Sequence, residues 1–163
     1  MRDMLVRLHD LPDLGAVLDR LAERGVTVRR ALPQEKPDVL AWLGSRFPGW
    51  RAETEVAFHR LPVSCHLAIQ DSALMGFACY DATAPNFFGP TGVDEAARGR
   101  GIGYGLLLSV LYAQKAQGYA YAIIGGVGPA EFYEKTVGAV IIPGSEHRLD
   151  GVEAPFSARK QGE

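Results

Sequence analysis

Two arginines alternate with glycines between Arg98 and Gly103, directly before an apolar run that begins at Leu106. Such a run predicts a helix, and the first backbone N–H groups of a helix have no partner within it. Glycine lets a ligand approach the backbone closely, while the helix dipole and the two arginines favour an anion. The pattern therefore predicts a cradle for a phosphate or pyrophosphate group at the start of this helix.

Two familiar nucleotide motifs do not fit this turn. A P-loop needs Lys followed by Ser or Thr after its glycines, and Tyr104 and Gly105 stand there instead. The dinucleotide-binding pattern needs a third glycine, where Tyr104 or Leu106 falls, and a later acidic residue, where Tyr121 falls. Neither of these two motifs therefore describes the turn.

The spacing that does fit is Arg-x-x-Gly-x-Gly, formed by Arg98, Gly101 and Gly103. It resembles motif A of the GNAT acetyltransferase superfamily, which holds the pyrophosphate of acetyl-CoA. Further along the chain, Phe132-Tyr133-Glu134-Lys135 followed by Gly138-Ala139 is similar to a helix that GNAT proteins often carry. The resemblance covers roughly residues 26–143.

The resemblance implies an N-acetyltransferase that uses acetyl-CoA and transfers its acetyl group to a primary amine of a small molecule or peptide. It implies that Tyr133 meets the sulfur of CoA, either as a hydrogen-bond donor or as a general acid. GNAT proteins often have an Asn where this chain has Gly126, so backbone or water would replace that contact. The residues implied to bind the cofactor are Val93, Arg98, Gly99, Arg100, Gly101, Ile102, Gly103 and Tyr104.

The base that would deprotonate the amine stays open at this stage. Glu53 and Glu55 fall in a helical region that borders the acceptor site in this fold, Asp81 ends a strand, and His66 lies on a strand. Each has an ordinary alternative, which is a solvated helix face for the glutamates, a turn for Asp81 and the core for His66. A chain of water molecules to bulk solvent would need no dedicated base.

Two other classes of function also stay open. A CoA-binding sensor or interaction module would keep the phosphate cradle and would not depend on Tyr133. A phosphate-binding protein unrelated to CoA would bind ADP or NAD as well as acetyl-CoA.

Hydrophobic periodicity and turn residues predict the element order β-α-β-α-α-β-β-β-α-β-α-β, a mixed α/β (α+β) sheet flanked by helices. The order from residue 26 onward matches the GNAT fold, so residues 1–25 are predicted to be a strand–helix extension packed on a domain of residues 26–163. A bulge is predicted at Gly89-Pro90. Strands are predicted at 4–8, 26–29, 65–69, 74–80, 87–93, 119–124, 139–142 and, less patterned, 147–149, and helices at 13–24, 33–47, 52–61, 102–117 and 130–137.

Composition narrows the expected partners. The chain has 163 residues and a net charge of −2 without a basic block, so nucleic acid is not expected. No membrane-spanning run or signal peptide is visible, and a cytoplasmic location is expected. Cys65 and Cys79 are predicted to be reduced core thiols, no metal site is expected, and a homodimer through an edge strand at 139–142 is a candidate.

Overall fold

The computed structural model describes residues 2–146, so the strand considered at 147–149 lies outside the described residues. Three single 3₁₀ turns precede α2, α3 and α4. The strands are β1 Met4–Arg7, β2 Val26–Arg30, β3 Cys65–Gln70, β4 Ala73–Tyr80, β5 Phe87–Val93, β6 Tyr121–Ile124 and β7 Val140–Ile141. The helices are α1 Leu14–Ala22, α2 Lys36–Arg46, α3 Arg51–Phe58, α4 Ile102–Ala116 and α5 Ala130–Val137.

The strands form one sheet in the order β2-β3-β4-β5-β6-β1-β7. Only β5 and β6 pair in parallel, and every other neighbouring pair is antiparallel. The mixed sheet with flanking helices that the sequence predicts is confirmed. Strand β7 lies at one edge, as predicted, while a homodimer through that edge stays a prediction.

The first strand lies inside the sheet. Met4 pairs with Ile124 of β6 on one side and with Ile141 of β7 on the other. Met4 and Val6 are completely buried. Helix α1, which follows, packs on α4 so closely that a Cβ added to Gly105 would lie 2.4 Å from the Leu21 Cδ1 atom. The segment predicted as an extension therefore supplies an interior strand and a core helix.

The helices cover both faces of the sheet. One core lies under α1, α4 and α5, and the consecutive residues Leu106, Leu107 and Leu108 are at its centre. A second core under α2 and α3 contains Cys65 and Cys79, which stand opposite each other on β3 and β4. Both thiols are free and buried, as predicted. The hydrogen bond with the Cys79 thiol raises the pKa of Cys65, and burial raises it further.

Two features of the central strands follow from local sequence. Asp71 and Ser72 have positive φ angles of 49° and 61°, and they form a two-residue hairpin loop between β3 and β4. The register between β4 and β5 shifts beside Gly89-Pro90, which confirms the predicted irregularity there. Such a bulge bends its strand. The bend lies where β5 stops pairing with β6.

Two elements differ from the sequence prediction. The strand predicted at 119–124 begins only at Tyr121, whose side chain is 46% exposed. Tyr121 packs edge-on against His9 at the surface. The helix predicted at 52–61 ends at Phe58, because a residue that precedes a proline, here Leu61, disfavours helical backbone.

Candidate active site

The glycine turn adopts the conformation that its sequence predicts. Gly99 and Gly101 have φ angles of +74° and +80°, where glycine has no steric penalty. Gly101 is the N-cap of α4 and has no side chain to cap the helix. The first N–H groups of this 15-residue helix therefore point out of its end without a side-chain acceptor. A Cβ added to Gly99 or Gly101 would meet nothing within 4 Å, so the space in front of the turn is open.

A cavity of about 250 Å³ lies against this helix end. Arg98 lies in its wall, and the Arg98 Nε donates a hydrogen bond to the Val93 carbonyl oxygen at 3.3 Å. The remaining lining includes Gly99, Gly101, Ile102, Gly103, Tyr104 and Phe132. Uncapped N–H groups, the positive helix end and a guanidinium thus converge on one cavity, which suits a pyrophosphate.

A second cavity, of about 310 Å³, lies where β5 and β6 separate. The two strands pair only at Phe87 and Phe88, opposite Ile123 and Ile124. The backbone of β5 from Gly89 to Val93 therefore has no strand partner on the β6 side. This second cavity adjoins the first through Val93, Arg98, Gly103 and Phe132. An extended ligand could therefore run from the helix end along β5 and hydrogen-bond to its free edge.

Tyr133 stands in the wall of the second cavity. Its ring packs edge-on against Phe132 and Phe88, with centroids 5.1 and 6.3 Å away. The residue is only 9% exposed, and burial raises the pKa of its phenol. Its hydroxyl has no hydrogen-bond partner among residues 2–146. At neutral pH Tyr133 is therefore a protonated phenol that can donate a hydrogen bond into the cavity.

Solved structures share this architecture. A GCN5-related glucosamine N-acetyltransferase region of a fungal multi-domain GH3 β-N-acetylglucosaminidase superposes with a TM-score of 0.73 at 16% identity, covering 86% of this chain and 19% of the other. A GCN5-related N-acetyltransferase from Sphaerobacter thermophilus gives 0.67 at 20% identity, covering 86% and 48%. The chain has the GNAT fold. No family model matches the sequence, and neither does any curated protein.

The chain spans about a fifth and about a half of the length of these two GNAT-fold proteins. A tandem GNAT protein from the clavulanic acid biosynthesis pathway, with a TM-score of 0.50 and 14% identity, is covered to 49%. At these identities the likeness establishes the fold. The activity is therefore argued from the site itself.

Arg100 contacts residues outside the two cavities. Its Nη2 donates to the Gln70 side-chain oxygen at 2.9 Å, at the end of β3, and its carbonyl oxygen accepts from Arg24. Its side chain lines neither cavity. Among the residues predicted to bind the cofactor, Arg100 alone is held away from the cavities by these contacts.

Gly126, which occupies the position of the frequent GNAT asparagine, has a partner within the protein. Its N–H donates to the Asp3 carboxylate at 2.8 Å. The neighbouring Val127 N–H donates to the Arg2 carbonyl oxygen at 2.9 Å. The N-terminal residues therefore fix the loop between β6 and α5, and the Gly126 N–H is occupied by Asp3.

The four candidate bases do not line the cavities. Glu55 forms an ion pair with Lys36 at 2.9 Å, and Glu53 accepts a hydrogen bond from Thr83. Asp81 accepts from the Asn86 N–H at 2.6 Å. His66 is buried in the core, where burial first and the Arg30 charge second lower its pKa to about 4. The structural interpretation of each candidate therefore fits its contacts.

An aromatic wall at one side of the second cavity was only partly visible in the sequence. Phe47 and Trp50 stack with ring centroids 5.3 Å apart and planes 21° apart, and both line the cavity. A Cβ added to Gly92 would lie 2.9 Å from the Phe47 ring, so this glycine lets the ring lie on β5. The Phe-Pro-Gly-Trp break after α2 was the available signal.

Two kinds of feature are absent from residues 2–146. No helix there is long and apolar enough to cross a membrane. No group of three or more His, Cys, Asp and Glu side chains in that range is arranged to hold a metal ion.

Proposed function

We propose that this protein is an acetyl-CoA-dependent N-acetyltransferase that acetylates a primary amine of a small molecule or peptide. One observation carries the proposal. The gap between β5 and β6 opens directly at the uncapped, arginine-flanked start of α4, and Tyr133 stands in the wall of the same gap. The fold likeness is consistent with this activity.

The residues present fit acetyl-CoA at three places. The N–H groups at the start of α4 and the Arg98 guanidinium would hold the pyrophosphate. The β5 backbone beyond Phe88 would hydrogen-bond to the extended pantetheine amides. Tyr133 would meet the sulfur. When bound, acetyl-CoA supplies an acetyl thioester, which is the acyl donor for the reaction.

The reaction replaces a C–S bond with a C–N bond. The neutral amine nitrogen attacks the thioester carbon, the CoA thiolate leaves, and the proton lost by nitrogen ends on the thiol or in solvent. Free N–H groups of β5 near Val93 are the available donors for the carbonyl oxygen as it gains charge. Tyr133, whose pKa is raised by burial, donates a hydrogen bond to the leaving sulfur.

The test is calorimetric titration with acetyl-CoA on the wild type and on Gly103→Glu. Gly103 has no positive φ, and a Cβ there meets only the Val93 Cγ2 atom, at an ordinary 3.7 Å. Glutamate has a higher helix propensity than glycine, and its negative charge interacts favourably with the helix dipole in the first turn. We therefore expect Gly103→Glu to fold at least as stably as the wild type and to lose acetyl-CoA binding.

Three controls sharpen this test. Gly103→Gln adds the same bulk without charge and separates repulsion from obstruction. Gly44→Glu places the same change on an exposed glycine of α2 that lines neither cavity. ADP and NAD serve as alternative ligands. Absence of acetyl-CoA binding by the folded wild type, or equal binding of NAD, would remove the proposal.

A CoA-binding sensor without catalysis is the second candidate. The observation in its favour is that no carboxylate or imidazole among residues 2–146 lines either cavity. The two candidates differ in turnover. A sensor binds acetyl-CoA and releases no CoA thiol with any amine, whether or not Tyr133 is present.

A further inference from the structure

The second cavity is poor in groups that could accept a proton. Among its lining residues, Arg98 and Tyr133 are the only ones with ionisable side chains. The Arg98 guanidinium is a permanent cation, and Tyr133 is a phenol whose pKa burial raises further. The Thr91 hydroxyl already donates to the Phe77 carbonyl oxygen at 3.1 Å. The rest of the lining is glycine, proline, aliphatic or aromatic.

We propose that the acceptor is an arylamine, an aromatic compound whose amino nitrogen is bonded directly to the ring and is neutral at pH 7. This inference rests on the proposed acetyl transfer and names the class of its acceptor. Two properties of the cavity support it, the absence of a base among its described lining residues and the aromatic wall formed by Phe47 and Trp50.

Neutrality of the acceptor follows from the charges. A primary alkylamine resembles the lysine side chain, with a pKa of about 10.4, so at pH 7 roughly one molecule in 2,500 is neutral. The cation would have to enter beside Arg98 and lose its proton where no lining residue accepts one. Glu53, Glu55 and Asp81 are held by other contacts outside the cavity. His66 is buried in the core and does not line the cavity either. The conjugate acid of an arylamine has an acidity similar to that of a carboxylic acid, so this amine arrives neutral.

The aromatic wall accounts for the ring. Trp50 lines the cavity and remains 39% exposed although it stacks on Phe47, so part of the indole is available to a ligand. Aromatic rings prefer offset-stacked or edge-on contacts with one another. A sugar or a peptide would need several polar partners, and the lining offers few. A flat, apolar acceptor with a single amino group matches this surface.

The reaction balances without a protein base. The arylamine lone pair forms the C–N bond, the C–S bond breaks, and CoA leaves as the thiolate. The nitrogen becomes strongly acidic as it attacks, so its proton passes to the departing sulfur or to water. Tyr133 keeps its own proton and donates a hydrogen bond to that sulfur. The products are an N-aryl acetamide and CoA thiol.

The experiment compares aniline with benzylamine, which has the same ring and an alkylamine nitrogen. CoA release is followed with a thiol reagent from pH 6 to pH 9, and kcat/KM is plotted for each amine. We expect kcat/KM at pH 7 to be higher for aniline than for benzylamine and, for aniline, independent of pH, while the benzylamine value rises about tenfold per pH unit toward its own pKa. Faster acetylation of benzylamine at pH 7, or a benzylamine profile that levels at a lower pKa, would overturn the inference.

Two variants test the ring contact. Trp50→Ala should raise KM for aniline about 3- to 10-fold, as expected for one lost aromatic contact, and leave KM for acetyl-CoA unchanged. Trp50→Phe keeps an aromatic ring at this position, so its KM for aniline should return most of the way to the wild-type value. Tyr121→Ala is the matched control, because Tyr121 is an aromatic of similar exposure outside both cavities. Equal KM values for aniline in Trp50→Ala and Tyr121→Ala would contradict the proposed wall.

The outcomes separate this inference from the proposed function. Acetyl transfer to alkylamines with none to aniline would overturn the arylamine class and leave an N-acetyltransferase. Acetyl-CoA binding without transfer to any amine would overturn both and favour the sensor. Failure of acetyl-CoA to bind would remove the proposed function at its first step.

Discussion

At the scale of single residues, Tyr133 is where packing and chemistry can be separated. Its ring packs on Phe132 and Phe88, whereas its hydroxyl lacks a partner among the described residues. Tyr133→Phe keeps the ring, so the free energy of unfolding and the Kd for acetyl-CoA should stay close to wild type. Loss of the hydrogen bond to the leaving sulfur should lower kcat about 10²-fold. Unchanged kcat, measured by CoA release, would exclude Tyr133 from the mechanism.

His66 belongs to the same scale but concerns stability. Its imidazole is neutral in the folded core with a pKa of about 4, against 6.5 when unfolded. The stability that depends on neutral His66 is complete above pH 6.5 and is lost as pH falls through 4, because the unfolded chain gains the proton first. We expect about 2 to 3 kcal/mol of this loss between pH 7 and pH 4.5.

His66→Leu is the comparison protein, since leucine fills this buried position with a side chain of similar size that cannot titrate. Urea unfolding of both proteins at pH 7 and pH 4.5 isolates the imidazole, because carboxylates such as Glu35, whose pKa is lowered mainly by its hydrogen bond with Arg29, are common to both. An equal loss of stability in the two proteins would mean that folding does not lower the pKa of His66.

At the scale of elements, β1 shows what sequence patterning can predict and what it cannot. The run Met-Leu-Val-Arg has the local signature of a strand, and β1 was predicted within one residue of its observed end. Its place between β6 and β7 depends on contacts with residues more than 110 positions away, so no local pattern indicates it. The same limit applies to Arg100, because its side chain donates a hydrogen bond to Gln70 at the end of β3, which is 30 positions away in the chain.

Core substitutions test the interior position of β1. Met4 is completely buried between two neighbouring strands, so Met4→Ala should cost about 2 to 5 kcal/mol of unfolding free energy. Arg7 ends the same strand, and it forms only an exposed 3.8 Å ion pair with Asp10. Arg7→Ala should therefore cost less than about 1 kcal/mol. A similarly small cost for Met4→Ala, by urea unfolding, would indicate a dispensable extension.

At the scale of the whole molecule, the candidate site lies where β5 and β6 stop pairing within the sheet. The sequence could predict the cradle, because its glycines, arginines and helix are consecutive. Three features could not be predicted, because each joins elements that are distant in the chain. They are the separation of β5 from β6, the hydrogen bond from the Gly126 N–H to Asp3, and the position of the Phe47–Trp50 wall against Gly92 of β5. The sequence therefore indicates the cavity at the start of α4 more completely than the second cavity.

A ligand that joins the two sides of this gap should stabilise the molecule as a unit. Several residues that line the cavities also pack against the larger core, so acetyl-CoA should bind only the folded chain; among them are Val93, Ala97, Ile102, Tyr104, Phe132 and Tyr133. At a concentration 100 times Kd this linkage contributes about 2.7 kcal/mol. For a chain of this size we expect Tm to rise by about 5 to 10 °C.

Thermal melts with acetyl-CoA, ADP and NAD check this expectation. ADP carries the pyrophosphate without pantetheine, so at equal concentration it should give a smaller rise, because it leaves the free edge of β5 unpaired. Gly103→Glu should show no rise with any ligand, while Gly44→Glu should behave as the wild type. An equal rise with ADP and acetyl-CoA would mean that only the helix end binds, and that the gap between β5 and β6 contributes nothing to recognition.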